Sequence, residues 1–171
     1  MVNERGVMFK PAVSVEGKRN GGADAIESVP DILERELEPL IADWLSRVEQ
    51  EADLTHIQLN YEERTGHLPQ LMHDVIRRLR LEVGTKAPIS ETASVHGDLR
   101  RKQGYTVAMA VEESRLLQVC IFTMLHKNVK NLEFSTVLPN VVTIADEVDA
   151  QLKQQMKHFK VADAAKKAES R

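Results

Sequence analysis

The sequence predicts an all-α fold: a helical bundle of four to six helices that ends in one long C-terminal helix. Three observations carry this expectation. Apolar residues recur at intervals of three and four over long stretches, which is the spacing of one helical face. Aromatic residues make up only 4% of the 171 residues, while Leu, Ala, Glu, Lys, Gln and Arg are plentiful, a composition that favours helix over strand. Apolar residues at 42% and charged residues at 29% supply one core and its polar coat, enough for a single domain of ordinary size.

Residues 1–27 read as a flexible leader, because four of the eight glycines fall there (Gly6, Gly17, Gly21, Gly22) and no apolar period survives. The helical domain is placed at 28–160. Its first helix starts near Ser28, with Ser28 or Asp31 as the cap and Pro30 tolerated in the first turn. Leu33, Leu37, Leu40, Ile41, Trp44, Leu45 and Val48 mark its inner face, and Pro39 is expected to kink it without ending it. The stretch 54–66 is ambiguous, with Gly66 closing a short helical turn. A second helix, 68–81, turns Leu68, Leu71, Met72, Val75, Ile76 and Leu79 inward, and Gly84 to Pro88 form a loop. A segment from Ser90 to Gln103, polar on most sides, is broken by Gly104. The long helix from Thr106 to His126 carries two apolar faces: Val107, Val111, Ser114, Leu117, Ile121 and Leu125 on one, Leu116, Val119 and Phe122 on the other. Residues 131–135 turn, and a last helix runs from Ser135 past Phe159. There Leu138, Val141, Ala145, Val148, Leu152, Gln155 and Phe159 lie close to a heptad, with Met156 beside it. Residues 161–171 form a tail or linker, and no internal repeat is visible.

Charge and composition exclude several classes. A net charge of −3 disfavours a nucleic-acid binder, which needs a basic face. The most apolar stretch, Val119 to Leu125, is far short of the roughly 20 residues of a membrane span. No apolar segment follows the basic N-terminal residues, so no secretory signal is expected. The single Cys120 fits a reducing compartment. A soluble protein of the cytoplasm is expected.

The stretch around His96 looks like the phosphoacceptor box of a histidine kinase, in which an acid directly follows the His. Here Gly97 holds that place and the acid is Asp98, turned by about 100° on a helix. A histidine phosphotransfer protein would need a small residue one turn after the His, where this chain has Arg100. The six histidines, His56, His67, His73, His96, His126 and His158, form no i, i+4 zinc pair. Cys120 sits among apolar neighbours as a small buried hydrophobe. No nucleophile elbow, phosphate loop or dinucleotide fingerprint occurs. No catalytic residue, metal or cofactor is therefore expected.

The run His96 to Leu117, HGDLRRKQGYTVAMAVEESRLL, resembles the N-terminal domain of the RsbRD family of RsbT co-antagonists. These are input domains of stressosome proteins, and related domains head bacterial histidine kinases and transcription regulators. The shared pattern is His96, Gly97, Arg100, Gln103, Gly104, Tyr105, Glu112, Arg115, Leu116 and Leu117. The helix with Trp44, the Leu68-Pro69 helix start and the last long helix fit as well, so the likeness spans about residues 30 to 160. It implies a non-catalytic sensor domain whose terminal signalling helix leads to an output module: a histidine kinase, a stressosome partner or a transcription regulator. The chain ends soon after Phe159, so a fragment or a stand-alone form acting on a separate signalling protein is expected.

Spacing adds that His96, Arg100 and Gln103 share one helical face and that Glu112 and Arg115 form an i, i+3 pair. With the Tyr105 hydroxyl between them, these six residues are expected to form a polar cluster that binds a small-molecule ligand or relays a signal. The plainer alternative is a hydrogen-bonded network that only fixes the inter-helix angle. The two-faced long helix and the near-heptad of the last helix predict a homodimer. A purely structural interaction module remains an alternative to the sensor.

Overall fold

Ser28 opens the first helix by accepting the Asp31 amide at its hydroxyl, and Pro30 fills the first turn, where a missing N–H costs nothing. The structure, a computed structural model, describes residues 26–82, 85 and 89–169, without the side chains of residues 158 and 160–169. Residues 1–25 of the expected leader at 1–27, and most of the loop at 84–88, lie outside the described residues; Glu27, at the end of that leader, is instead held in place beside Leu132.

Helices α1 (Val29–Arg35) and α2 (Leu37–Val48) replace the single kinked helix expected there. The chain turns at Glu36, not at Pro39. A proline ring conflicts with the carbonyl four residues earlier and offers it no N–H. For Pro39 that carbonyl belongs to Arg35, the last residue of α1, so the break falls just upstream of the proline. The ambiguous stretch holds two short helices, α3 (Ala52–Thr55) and α4 (Tyr61–Thr65). Asn60 and Glu63 cap α4 reciprocally, with both side chain–backbone bonds at 2.9 Å. Helices α5 (Leu68–Leu79), α6 (Glu91–Lys102), α7 (Val107–Lys127) and α8 (Phe134–Glu169) follow. Ser90 caps α6 and Thr106 caps α7, each accepting the amide three residues on. A 3-10 turn at Val129–Asn131 leads into α8, and one isolated parallel bridge joins Glu27 to Leu132. The described residues form no β-strand, and none of their helices is long and apolar enough to cross a membrane.

The core gathers Ile32 and Leu33 of α1, Trp44 and Val48 of α2, Met72 and Val75 of α5, Ile121 of α7 and Ile144 of α8. Its inner faces differ from the expected stripes on the last two helices. On α7 Val107 and Val111 are 48% and 43% exposed, while Met109, Glu113, Leu116, Cys120 and Met124 turn inward. On α8 Leu138 is 71% exposed, and the buried line runs through Ile144, Glu147, Val148, Gln151, Gln155 and Phe159. Of the expected heptad, Val148, Gln155 and Phe159 do turn inward, while Leu138, Ala145 and Leu152 give way to Ile144, Glu147 and Gln151. The Gln151 Nε2 donates to the Leu71 carbonyl at 3.1 Å and to Glu147 Oε1 at 3.2 Å.

The most extensive helix pairing is α6 on α8, and it is possible because of Gly97. A Cβ at this position would lie 2.6 Å from Gln155 Cα and 2.7 Å from the Gln155 carbonyl oxygen, both backbone atoms that have nowhere to go. Replacement Gly97→Ala is expected to separate the two helices at a cost of about 2 kcal/mol, lowering the melting temperature by about 4–8 °C. Thermal unfolding followed by circular dichroism measures this; an unchanged midpoint would mean that α6 and α8 do not touch at Gly97.

A buried arginine cluster at the elbow of α6 and α7

Helix α6 ends on Gly104, whose φ of +91° lies in the left-handed region that favours glycine. The Gly104 amide donates to the Arg101 carbonyl and the Tyr105 amide to the Arg100 carbonyl, at 3.1 and 3.0 Å, closing the helix end with the paired bonds of a Schellman motif. This reversal folds Tyr105 back toward α6 and starts α7 two residues later. Arg100, on the last turn of α6, and Tyr105 thereby face the same interior space.

Arg100 has no exposed surface and four polar partners. Its Nε donates to Glu113 Oε2 at 2.9 Å, its Nη1 to the Gln103 side chain at 2.8 Å and the Glu63 carbonyl at 2.9 Å, and its Nη2 to the Arg64 carbonyl at 2.8 Å. The Tyr105 hydroxyl donates to Glu113 Oε1 at 2.7 Å and accepts from Arg64. Arg64 also donates to the Leu54 and Ile57 carbonyls, at 3.3 and 2.8 Å. Trp44 Nε1 donates to the Glu113 carbonyl at 3.2 Å, and the Arg100 guanidinium lies 4.8 Å from the Tyr105 ring centre. One guanidinium thus joins α4, α6 and α7 through charge-assisted bonds in a water-poor interior.

Four of the six expected cluster residues, His96, Arg100, Gln103 and Tyr105, do assemble here. Glu112 and Arg115 do not: they pair with each other on the surface at 2.9 Å and shorter, and the buried acid is Glu113. One residue along a helix turns a side chain by about 100°, so only one of two adjacent glutamates can face the core. The chosen one sits on the buried stripe with Met109, Leu116, Leu117 and Cys120, a charged residue on an apolar face and hence a readable sign of a buried polar group. Arg64 and His67 also belong to the cluster. They come from the α4–α5 corner, and nothing in their local sequence announces it.

His67 and His96 stack with ring centres 3.6 Å apart and planes 14° from parallel, and Trp44 meets His67 edge-on at 6.3 Å. His96 is 4% exposed, with Nε2 3.8 Å from Glu113 Oε2. Both Nδ1 atoms are sealed from solvent without a hydrogen-bond partner. Burial drives both imidazoles well below their usual 6.5, the Arg100 charge adds to this for each, and His96 acts further on His67. Both effects favour the neutral form of the pair. Burial also raises the Glu113 carboxyl, against which Arg100 and the Tyr105 hydroxyl pull downward, and burial raises the Tyr105 hydroxyl. Between α5 and α8, burial raises Glu147, whose Oε2 has no partner, as does Arg78 Nε.

Beside the histidines lies a cavity of about 20 Å³ lined by His67, His96, Glu113, Gln151 and Gln155 among others, room for one water molecule. Parallel stacked rings aim their lone pairs along separate lines, so the two histidines do not converge on one metal ion. Among the described residues no group of three His, Cys, Asp or Glu could hold one. Phosphoryl transfer to His96 would require a donor to reach a ring covered by His67. Burial pushes the Cys120 thiol up to about 12, which keeps it protonated and unreactive.

Removing the guanidinium in Arg100→Met strands a buried carboxylate and should cost about 3–5 kcal/mol in denaturant unfolding; a loss under about 1 kcal/mol would show that the ion pair carries little. Acidification gives a second measurement. Each histidine has a folded-state pKa below its unfolded value of 6.5, so its contribution is complete above 6.5 and is lost as pH falls below it. Two such groups give a slope of up to about 2.7 kcal/mol per pH unit in that region. Glu113 and Glu147, both raised, act in the opposite sense, so the histidine share is read as the difference from the His67→Gln, His96→Gln double variant. Parallel stability curves for the two proteins would show that the pair is not held neutral.

No family model, curated protein or solved structure matches the chain.

Proposed function

We propose that the chain is a non-catalytic signal-transduction input domain, a sensor that regulates an output module by helix repacking. The output would be a histidine kinase, a stressosome partner or a transcription regulator, fused or separate, and α8 would be the signalling helix that carries the change outward. One observation supports this above the others. Helix α6 holds Arg100, which is bonded to α4 and α7, and three residues earlier Gly97, which rests on the backbone of α8. In this reading a rearrangement of the cluster shifts α6, and α6 carries α8 with it.

The magnitudes are compatible. Moving a two-state equilibrium from 1:99 to 99:1 takes about 5.5 kcal/mol, close to the cost of breaking one buried ion pair. The cavity at the histidines admits no metabolite, so this cluster serves as a relay and not as the seat of a small-molecule ligand. A second reading, a purely structural interaction module, draws on Arg100 itself, whose bonds are so well satisfied that a fixed angle would suffice. The burial of His96 speaks against the phosphotransfer alternative.

Tyr105→Phe separates relay from scaffold. It removes the bond to Glu113 while keeping the ring, at a stability cost of about 1–2 kcal/mol. A relay predicts altered amide-exchange protection along residues 144–159 of α8 while the protein stays folded. Protection unchanged on α8 and lowered only around Tyr105 would leave the structural module standing.

A further inference from the structure

We infer that the N-terminal third of α8 is the face on which two copies of this chain pair, antiparallel, about a two-fold axis near Leu138. Phe134, Leu138 and Val142 are 86%, 71% and 63% exposed and follow one another at intervals of four, so they stand in one row on α8. Of the heptad seam expected from the sequence this row keeps only Leu138; Val148, Gln155 and Phe159 of that seam are buried inside the chain.

Three features point to a second copy as the occupant. Residues 134–145 contain no charged side chain, in a chain where 29% of residues are charged. Such depletion, with an aromatic residue on display, is the composition of an interface core. The chain carries a net charge of −3, so two copies repel each other generally, and an uncharged face is where they approach most freely. The ends of the row then set the direction. Exposed Asp146 continues the row one turn on, and exposed Lys130 stands on the 3-10 turn that leads into the other end of the row. A two-fold axis at Leu138 sets Phe134 of one copy against Val142 of the other, and brings the turn that carries Lys130 in each copy to the end of the row where its mate carries Asp146. A parallel pairing would bring like charges together at both ends. Exposed Glu133, between Lys130 and the row in sequence, accepts from Ser135 and offsets part of the positive charge at this end.

A groove beside the row completes the face. It has a volume of about 300 Å³ and is lined mainly by Phe122, Leu125, Val129, Val137 and Val141, with His126 at its edge. In the antiparallel arrangement Phe134 of the partner copy comes down next to Val141, where this groove can take its ring. Each copy contributes one ring and one groove, the reciprocity that closed two-fold association requires. This pairing does not depend on the sensor reading and would hold for a structural module as well.

Sedimentation velocity of the whole chain over a concentration series tests it. The wild type is expected to dimerise reversibly. Leu138→Asp, which brings two carboxylates together at the axis, should abolish the dimer while leaving the helical spectrum and melting temperature of the monomer unchanged, because Leu138 is exposed. Lys130→Glu and Asp146→Lys should each weaken association by up to about tenfold, and the doubly exchanged chain should regain most of it. A wild type that stays monomeric throughout overturns the proposal, the row then serving another segment or another protein. So does a dimer indifferent to Leu138→Asp, or a double exchange that restores nothing, which would exclude the antiparallel register. Amide exchange along residues 147–159, beyond the row, stays the separate measure of the sensor reading.

Discussion

The ion pair between Arg100 and Glu113 is the constraint around which the rest of the domain is arranged. A charged pair without water is tolerated only if every remaining donor and acceptor is met. That requirement brings the Glu63 and Arg64 carboxy-terminal backbone of α4 against α6, places the Tyr105 hydroxyl beneath Glu113 and uses Gln103 to hold the guanidinium. The short helices α3 and α4, which add little to the apolar core, gain their position from this demand. Arg64 ties the α3–α4 connection down through the Leu54 and Ile57 carbonyls while joining the same cluster.

Glycine acts at two points of this arrangement in different ways. Gly104 supplies a backbone conformation that lets the chain reverse and deliver Tyr105 to Arg100. Gly97 supplies absence of volume, so that α6 lies against α8 backbone to backbone. Gly97 lies within α6 one turn before Arg100 and Gly104 just past the end of the helix, which gives α6 a sealed polar contact at one end and a close backbone contact nearer its middle.

Much of the fold was legible in the chain because helical periodicity and capping residues are local signals. The inner faces of α2 and α5, the cap Ser28, the start of α6 near Ser90 and the break at Gly104 follow from spacing and residue type alone. The α1–α2 boundary was displaced because a proline disturbs the turn before it and not its own position. The seams of α7 and α8 were displaced for a common reason: Glu113, Glu147 and Gln151 occupy buried positions, and a count of apolar residues assigns such positions to solvent. The candidate site was legible where its members share a segment, as His96, Arg100, Gln103 and Tyr105 do. It was not legible where members arrive from elsewhere in the chain, as Arg64 and His67 do, since no local pattern encodes a contact across some thirty intervening residues.

The chain has a single tryptophan. Trp44 is 1% exposed, hydrogen-bonded to the Glu113 carbonyl and in edge contact with His67. The indole is therefore an optical reporter built into the molecule: its emission belongs to one environment, and any loosening at the elbow changes the polarity and the quenching groups around that one fluorophore without the need for a dye.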